Sequence, residues 1–165
     1  MNARTRDPVL VVLVLSIVAL AAAFTAQYGF GLRPCELCLL QRVPFGAAIA
    51  LSALTLILRL DAKGVRIVLA LCFLAFAADA GLALYHVGVE QHWWAGPTSC
   101  TGGAGGARSI EDLAAMLSKP IDIPQCDKVA WSLFGISMAG YNVLAGLALA
   151  AFSFGAARRL AGMVR

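Results

Sequence analysis

Four of the five cysteines in this 165-residue chain fall into two pairs whose spacing suits thiol–disulfide chemistry. Cys35 and Cys38 make a Cys-x-x-Cys unit, while Cys100 and Cys126 stand far apart. Bridging Cys100 to Cys126 would close a loop of 27 residues and bridging Cys35 to Cys38 a loop of four. On chain-entropy grounds the longer bridge would stabilise the fold by about 1.7 kcal/mol more. A Cys-x-x-Cys bridge adds little stability and is a common redox-active unit. That arithmetic allows the larger bridge to be structural. The glycine-rich run Cys100-Thr-Gly-Gly-Ala-Gly-Gly-Ala107 beside it argues instead for a mobile redox arm, since a staple needs no flexible tether.

A thiolate is the reactive form of cysteine, and a helix N-terminus or a nearby cation stabilises it. Cys38 and Arg42 are four positions apart, so on a helix they share one face. Arg42 reads in two ways. In one it marks the end of a membrane helix, keeping its charge hydrated at the interface. Alternatively it serves both the thiolate and the negative charge that develops on a reduced carbonyl acceptor at the hydrocarbon border.

The elements that must position these groups are membrane helices. Hydrophobic residues make up 61% of the chain and charged residues 13%, too apolar for a soluble domain of this length. Apolar runs cover about 9–28, 43–60, 65–86 and 129–154, each long enough as a helix to cross a ~30 Å hydrocarbon core. The prediction is an all-α, four-helix transmembrane bundle forming a single domain over 1–165. The first run also resembles a secretory signal, with Arg4 and Arg6 ahead of it and small residues from Ala21 to Ala26. Its length favours a retained span.

Charge sets the expected orientation. Eight of the 13 basic residues (Arg4, Arg6, Arg59, Lys63, Arg66, Arg158, Arg159 and Arg165) lie on one side with only Asp7 and Asp61 against them. The positive-inside rule then puts both termini and the 59–66 turn in the cytoplasm, and the loops at about 29–42 and 87–128 outside. Topology accounts for the net charge of +4, and no nucleic-acid binding is expected. In the second outer loop, Ser109-Ile-Glu-Asp112 reads as a helix cap, with Ile110, Leu113 and Leu117 on one apolar face. That short amphipathic helix would lie on the membrane surface or pack against the loop.

With these residues in view, the chain resembles the disulfide bond formation protein B (DsbB) family. Pro34-Cys-Glu-Leu-Cys-Leu-Leu-Gln-Arg42 is similar to the family's first-loop signature. The stretch from Cys126 through Trp131-Ser-Leu-Phe-Gly-Ile-Ser-Met-Ala-Gly-Tyr-Asn142 is similar to its last cysteine and fourth helix. Tyr85-His-Val-Gly-Val-Glu90, with Trp94 and Cys100 after it, resembles the end of the third helix. The resemblance implies a bacterial inner-membrane enzyme that reoxidises a periplasmic thioredoxin-fold (DsbA-like) dithiol oxidase and reduces ubiquinone or menaquinone. It also implies roles. Cys100 forms the mixed disulfide with the partner. Cys126 leaves and then attacks Cys35, and Cys38 is freed beside Arg42 to reduce the quinone. His86 lies near the quinone ring.

Other residues take structural readings. Cys72, mid-span, is expected to be a buried small hydrophobe. Asp79, costly inside a membrane, is expected to be protonated or hydrogen-bonded within the bundle. His86 and Glu90 would pair one turn apart. His92, Trp93 and Trp94 read as an interfacial anchor, and Gly135, Ser137 and Gly140 as close helix packing. Gln41 either touches the quinone or fills the interface. Three rivals remain: a vitamin K epoxide reductase-like oxidoreductase, a non-catalytic scaffold with structural disulfides, and a zinc-binding membrane protein. Structural zinc sites draw on closely spaced pairs, which Cys100 and Cys126 are not.

Overall fold

In a computed structural model, residues 3–97 and 125–163 of the chain are described. Cys100, the glycine tether and the helix expected from Ser109 lie outside them.

The first apolar run forms α1, Ala3–Phe24, and winds on into a π-helical turn, Thr25–Gly29. The wider turn is closed by Phe30 N–H donating to Thr25 O (3.2 Å) and Leu32 N–H to Ala26 O (3.1 Å). Gly31, with φ of +68°, then turns the chain back. The second span begins earlier than the sequence predicts. Cys35 caps a short helix α2, Glu36–Leu40, its Sγ accepting from Cys38 N–H at 3.3 Å. After Gln41 the chain continues as α3, Arg42–Leu58. Pro44 falls in the first turn of α3, where its missing N–H forfeits no intrahelical bond.

Two residues make the turn into the next helix. Arg59 takes the left-handed conformation (φ +50°) that ends α3, and Asp61 caps α4, Ala62–Glu90, by accepting from Gly64 N–H at 2.8 Å. At 29 residues α4 is about 43 Å long, more than the ~30 Å hydrocarbon core needs. At its far end Trp94 folds back. Its indole Nε1–H donates to Tyr85 O (2.9 Å), its ring stacks on that of Tyr85, and the space above Gly88 receives it. Trp94 thus packs against the end of α4 while remaining partly open, and Trp93 is more exposed still.

The fourth span differs most from the expectation of a helix from 129. Residues 132–137 form a two-stranded hairpin, β1 Ser132–Leu133 and β2 Ile136–Ser137, paired Ser132 with Ser137 and Leu133 with Ile136. Phe134 (φ +50°) and Gly135 (φ +78°) make its turn, the positive-φ pair that a two-residue hairpin requires. A helix cannot pass through such a pair. The last helix, α5, Met138–Met163, therefore starts after Ser137, whose Oγ accepts from Gly140 N–H at 3.1 Å. Gly135 and Ser137 serve the turn and the cap, not helix packing.

Among the described residues, four helical stretches are long and apolar enough to cross a membrane: Ala3–Gly29, Glu36–Leu58, Ala62–Glu90 and Met138–Gly162. They pack around one core that includes Val12, Phe45, Val65, Leu69, Cys72, Phe76 and Leu160, with Phe45 and Phe76 in ring contact. Cys72 is fully buried there. α4 and α5 approach closely where Gly146 lies against Ala80. A Cβ on Gly146 would stand 3.2 Å from both the Ala80 backbone nitrogen and Asp79 Oδ2. Outside the core, Val14, Val18, Ile57, Leu74 and Leu147 are exposed, which in lipid costs nothing.

Candidate functional site

The site gathers at the end of the bundle where α2, the end of α4 and the start of α5 meet. Capping places both sulfurs of the Cys-x-x-Cys unit on the first turn of α2. Cys35 is buried and Cys38 half-buried, and the Cys35 thiol donates to Cys38 Sγ at 2.9 Å. That donated hydrogen bond, together with burial, pushes the Cys35 thiol up to about 12. Reduced Cys35 therefore keeps its proton at neutral pH, and Cys38 is the sulfur that receives it as a hydrogen bond.

Cys126 is fully buried in the same small cluster, with Leu37 and Val89. A ligand-type atom from each of Cys35, His86 and Cys126 lies within 4.8 Å of the other two. The structure thus brings Cys126, from the segment ahead of the hairpin, to the Cys35 sulfur of the Cys-x-x-Cys unit. The same three donors would also suit a thiophilic cation, a donor set that was not legible from cysteine spacing alone because it includes a helical histidine.

Behind the sulfurs runs a chain of side-chain hydrogen bonds. His86 Nε2 lies 3.6 Å from Cys35 Sγ and 4.0 Å from Glu90 Oε1. Glu90 Oε2 is buried and has no partner among the described residues. On the other edge of the ring, Gln41 Nε2 meets His86 Nδ1 at 3.0 Å. Asn142 Nδ2 donates to Gln41 Oε1 at 2.8 Å and to Asp79 Oδ2 at 3.1 Å. Asp79 is fully buried and hydrogen-bonded within the bundle.

On the opposite side of Cys38 an apolar cleft of about 610 Å³ opens between α1, α3, α5 and the hairpin. Its walls include Ala19, Ala23, Phe30, Phe45, Leu133 and Met138, and its polar lining includes Cys38, Gln41, Arg42, Tyr141 and Asn142. The hairpin is held over it by Tyr141, whose hydroxyl donates to Leu133 O at 3.1 Å. Arg42 is fixed from the first span: Nη1 donates to Gln27 Oε1 at 2.6 Å, and the guanidinium lies over the Phe24 ring, 5.0 Å from its centroid. His86 does not line this cleft. It stands behind Gln41, against Cys35.

Of the residues singled out in the sequence, Cys35, Cys38, Arg42, His86 and Cys126 come together here, and Cys100 lies outside the described residues. Gln27 and the linking role of Asn142 went unread. Gln27 carried no signal, being an ordinary polar residue at a helix end. Asn142 stood in a matched motif with nothing to show what it would touch.

The family described as disulfide bond formation protein DsbB matches residues 5–156. An uncharacterised protein of Rickettsia prowazekii is 33% identical over 146 residues, covering 87% of this chain and 82% of its own. A disulfide bond formation protein B of Herminiimonas arsenicoxydans is 41% identical over 88 residues, 53% of this chain and 54% of its own. Disulfide bond formation protein B 2 of Pseudomonas syringae pv. syringae is 32% identical over 143 residues, 79% and 76% of the two chains. No solved structure is a significant match.

Proposed function

The chain belongs to the DsbB family of membrane disulfide bond formation proteins, and on that premise we propose that it is a protein thiol:quinone oxidoreductase of the bacterial inner membrane. It reoxidises a periplasmic thioredoxin-fold dithiol oxidase. In this reading the end of the bundle bearing the sulfurs faces the periplasm, with the basic termini and the Arg59–Asp61 turn in the cytoplasm.

One observation carries the proposal. The Cys35–Cys38 unit has two different neighbours, a cysteine of the outer loop at Cys35 and an apolar cleft at Cys38. A disulfide so placed takes electrons on one side and releases them on the other.

The residues lining the cleft fit a quinone. A flat apolar ring and its tail need hydrophobic walls, and the carbonyl oxygens need donors at one end. Here the Arg42 guanidinium and the Gln41 N–H not engaged with His86 would hold those oxygens, with Asn142 keeping Gln41 in place. When bound, the quinone supplies a two-electron, two-proton acceptor for the Cys35/Cys38 dithiol.

The protein's own steps are thiol–disulfide exchanges. The partner's thiolate attacks Cys100 in the Cys100–Cys126 disulfide, forming a mixed disulfide and leaving the electron pair on Cys126. Cys126 then attacks Cys35, a Cys126–Cys35 bond forms, and Cys38 leaves as a thiolate at the edge of the cleft. Attack by the partner's second thiolate releases it oxidised, and the Cys100 thiolate so formed returns to Cys126 and frees Cys35. Two electrons and two protons then reside on Cys35 and Cys38. Arg42, held by Gln27 and Phe24, adds fixed positive charge where negative charge develops.

The test is anaerobic mixing of the purified protein with ubiquinone and a reduced thioredoxin-fold dithiol oxidase, following quinone absorbance. Stoichiometric quinone loss, absent in Cys38→Ala, is the expected result. Partner oxidation that proceeds equally well without quinone under strict anaerobiosis would overturn the reading.

A further inference from the structure

A chain of amides transmits hydrogen-bond direction, because each amide has one end that donates and one that accepts. Asp79 offers an acceptor oxygen in either protonation state. It therefore holds the NH2 end of Asn142 toward itself, with Asn142 Nδ2 at 3.1 Å from Oδ2 and 3.3 Å from Oδ1. The second hydrogen of that NH2 points to Gln41 Oε1 at 2.8 Å. With its oxygen committed, Gln41 turns its own NH2 to His86, 3.0 Å from Nδ1. Nδ1 must then be the acceptor, which leaves the ring proton on Nε2, the nitrogen 3.6 Å from Cys35 Sγ.

We infer that Asp79 is a positioning residue: through Asn142 and Gln41 it fixes His86 in the tautomer whose N–H faces the Cys35 sulfur. Burial makes the arrangement binding. Asp79, Gln41 and His86 are all buried, so reversing one amide would leave a donor facing a donor with no water to relieve it. Close packing of Gly146 against Ala80 and Asp79 holds the carboxyl group in place.

The chemistry served is departure from Cys35. When the Cys35–Cys126 disulfide is opened by a thiolate arriving at Cys126, the new bond forms at Cys126 and the electron pair leaves on Cys35. An N–H aimed at that sulfur stabilises the anion as it forms, whereas the other tautomer would present a lone pair. This consequence rests on the exchange sequence proposed above; the tautomer does not.

The experiment is 15N NMR of histidine-labelled protein in a His92→Gln background, so that His86 alone reports. The native protein should show a protonated Nε2 and a bare Nδ1. Asp79→Ala should yield a mixture of tautomers and lower kcat for quinone reduction about ten-fold at unchanged KM for the dithiol partner, the low end of what removing a group behind a functional imidazole costs. Asp79→Asn, which can still turn an oxygen to Asn142, should restore the native spectrum and rate. Gln41→Glu, acceptor at both oxygens, should draw a proton onto Nδ1, and it decides the matter alone if Asp79→Ala does not fold. A protonated Nδ1 in the native protein, or a native spectrum in both Asp79→Ala and Gln41→Glu, would overturn the inference. Because the spectrum needs neither quinone nor partner, failure of quinone reduction would count against the proposed function and leave this result standing.

Discussion

Arg42, at the start of α3, is tied to Gln27 in the last turn of the first span, Nη1 to Oε1 at 2.6 Å. The guanidinium is therefore not a free interfacial charge but one whose direction is set by a different helix. Replacing Gln27 with Leu should raise the apparent KM for quinone several-fold, with the rate of exchange with the dithiol partner unchanged. Arg42→Ala should raise it further, by about ten-fold or more, since a charge-assisted donor is worth about 1.5–3 kcal/mol. Steady-state kinetics with varied quinone would decide it, and an unaltered KM in Arg42→Ala would remove the residue from the proposed site.

The two sulfurs of the Cys-x-x-Cys unit should behave unequally toward alkylating agents. A thiol at about 12 is ionised to roughly one part in 10⁴ at pH 8. The protonated form dominates below that value, so Cys35 labelling in the reduced protein should rise about ten-fold per pH unit between pH 8 and 10. Cys38→Ala removes the acceptor that holds the Cys35 proton and should speed Cys35 labelling at pH 8. Peptide mass spectrometry after timed iodoacetamide exposure gives both rates. Slower or equal labelling of Cys35 in that variant would contradict the hydrogen bond assigned here.

Cys126→Ala should separate the two halves of the proposed relay. Exchange with the protein partner should fall to background, because in the proposed relay nothing would then carry electrons from Cys100 to Cys35. A small dithiol should still reduce the Cys35–Cys38 disulfide and, through it, quinone. Loss of both activities in a folded Cys126→Ala protein would argue that Cys126 has a structural duty in the buried cluster with Leu37 and Val89.

Gly88 leaves the space that Trp94 fills. Gly88→Val should destabilise the protein by about 1–3 kcal/mol through overpacking. With Trp94→Ala added, the double variant should lose less than the sum of the two single losses, as contacting residues do. Thermal melts in detergent would measure the coupling. Strict additivity would mean that the indole is not seated there.

The spans were legible because a bilayer imposes a length and a composition that no soluble fold demands, and the cysteines because their chemistry shows in their spacing. The helix ends were less so. Predicted starts at 43 and 65 moved out to Glu36 and Ala62 because caps, Cys35 and Asp61, fall outside the apolar runs. The Trp131–Ser137 stretch is apolar enough to read as helix, and only the positive φ at Phe134 and Gly135 reveals a hairpin. The amide chain lay further out of reach. Gln41 and His86 are 45 positions apart, and Gln41 and Asn142 are 101 apart. Asp79 announced itself as an expensive residue; its partner could be found only once α4 and α5 were in contact.

The wall that the first span gives to the cleft is built from Ala19, Leu20, Ala22, Ala23 and Ala26. Four methyl groups and one leucine offer contact with few features, so in the proposed quinone site that wall has little with which to gauge how many isoprene units trail from a head group. Any preference among natural quinones would then have to come from ring substituents, and molecules with tails cut short or extended should be exchanged for one another with little change in turnover.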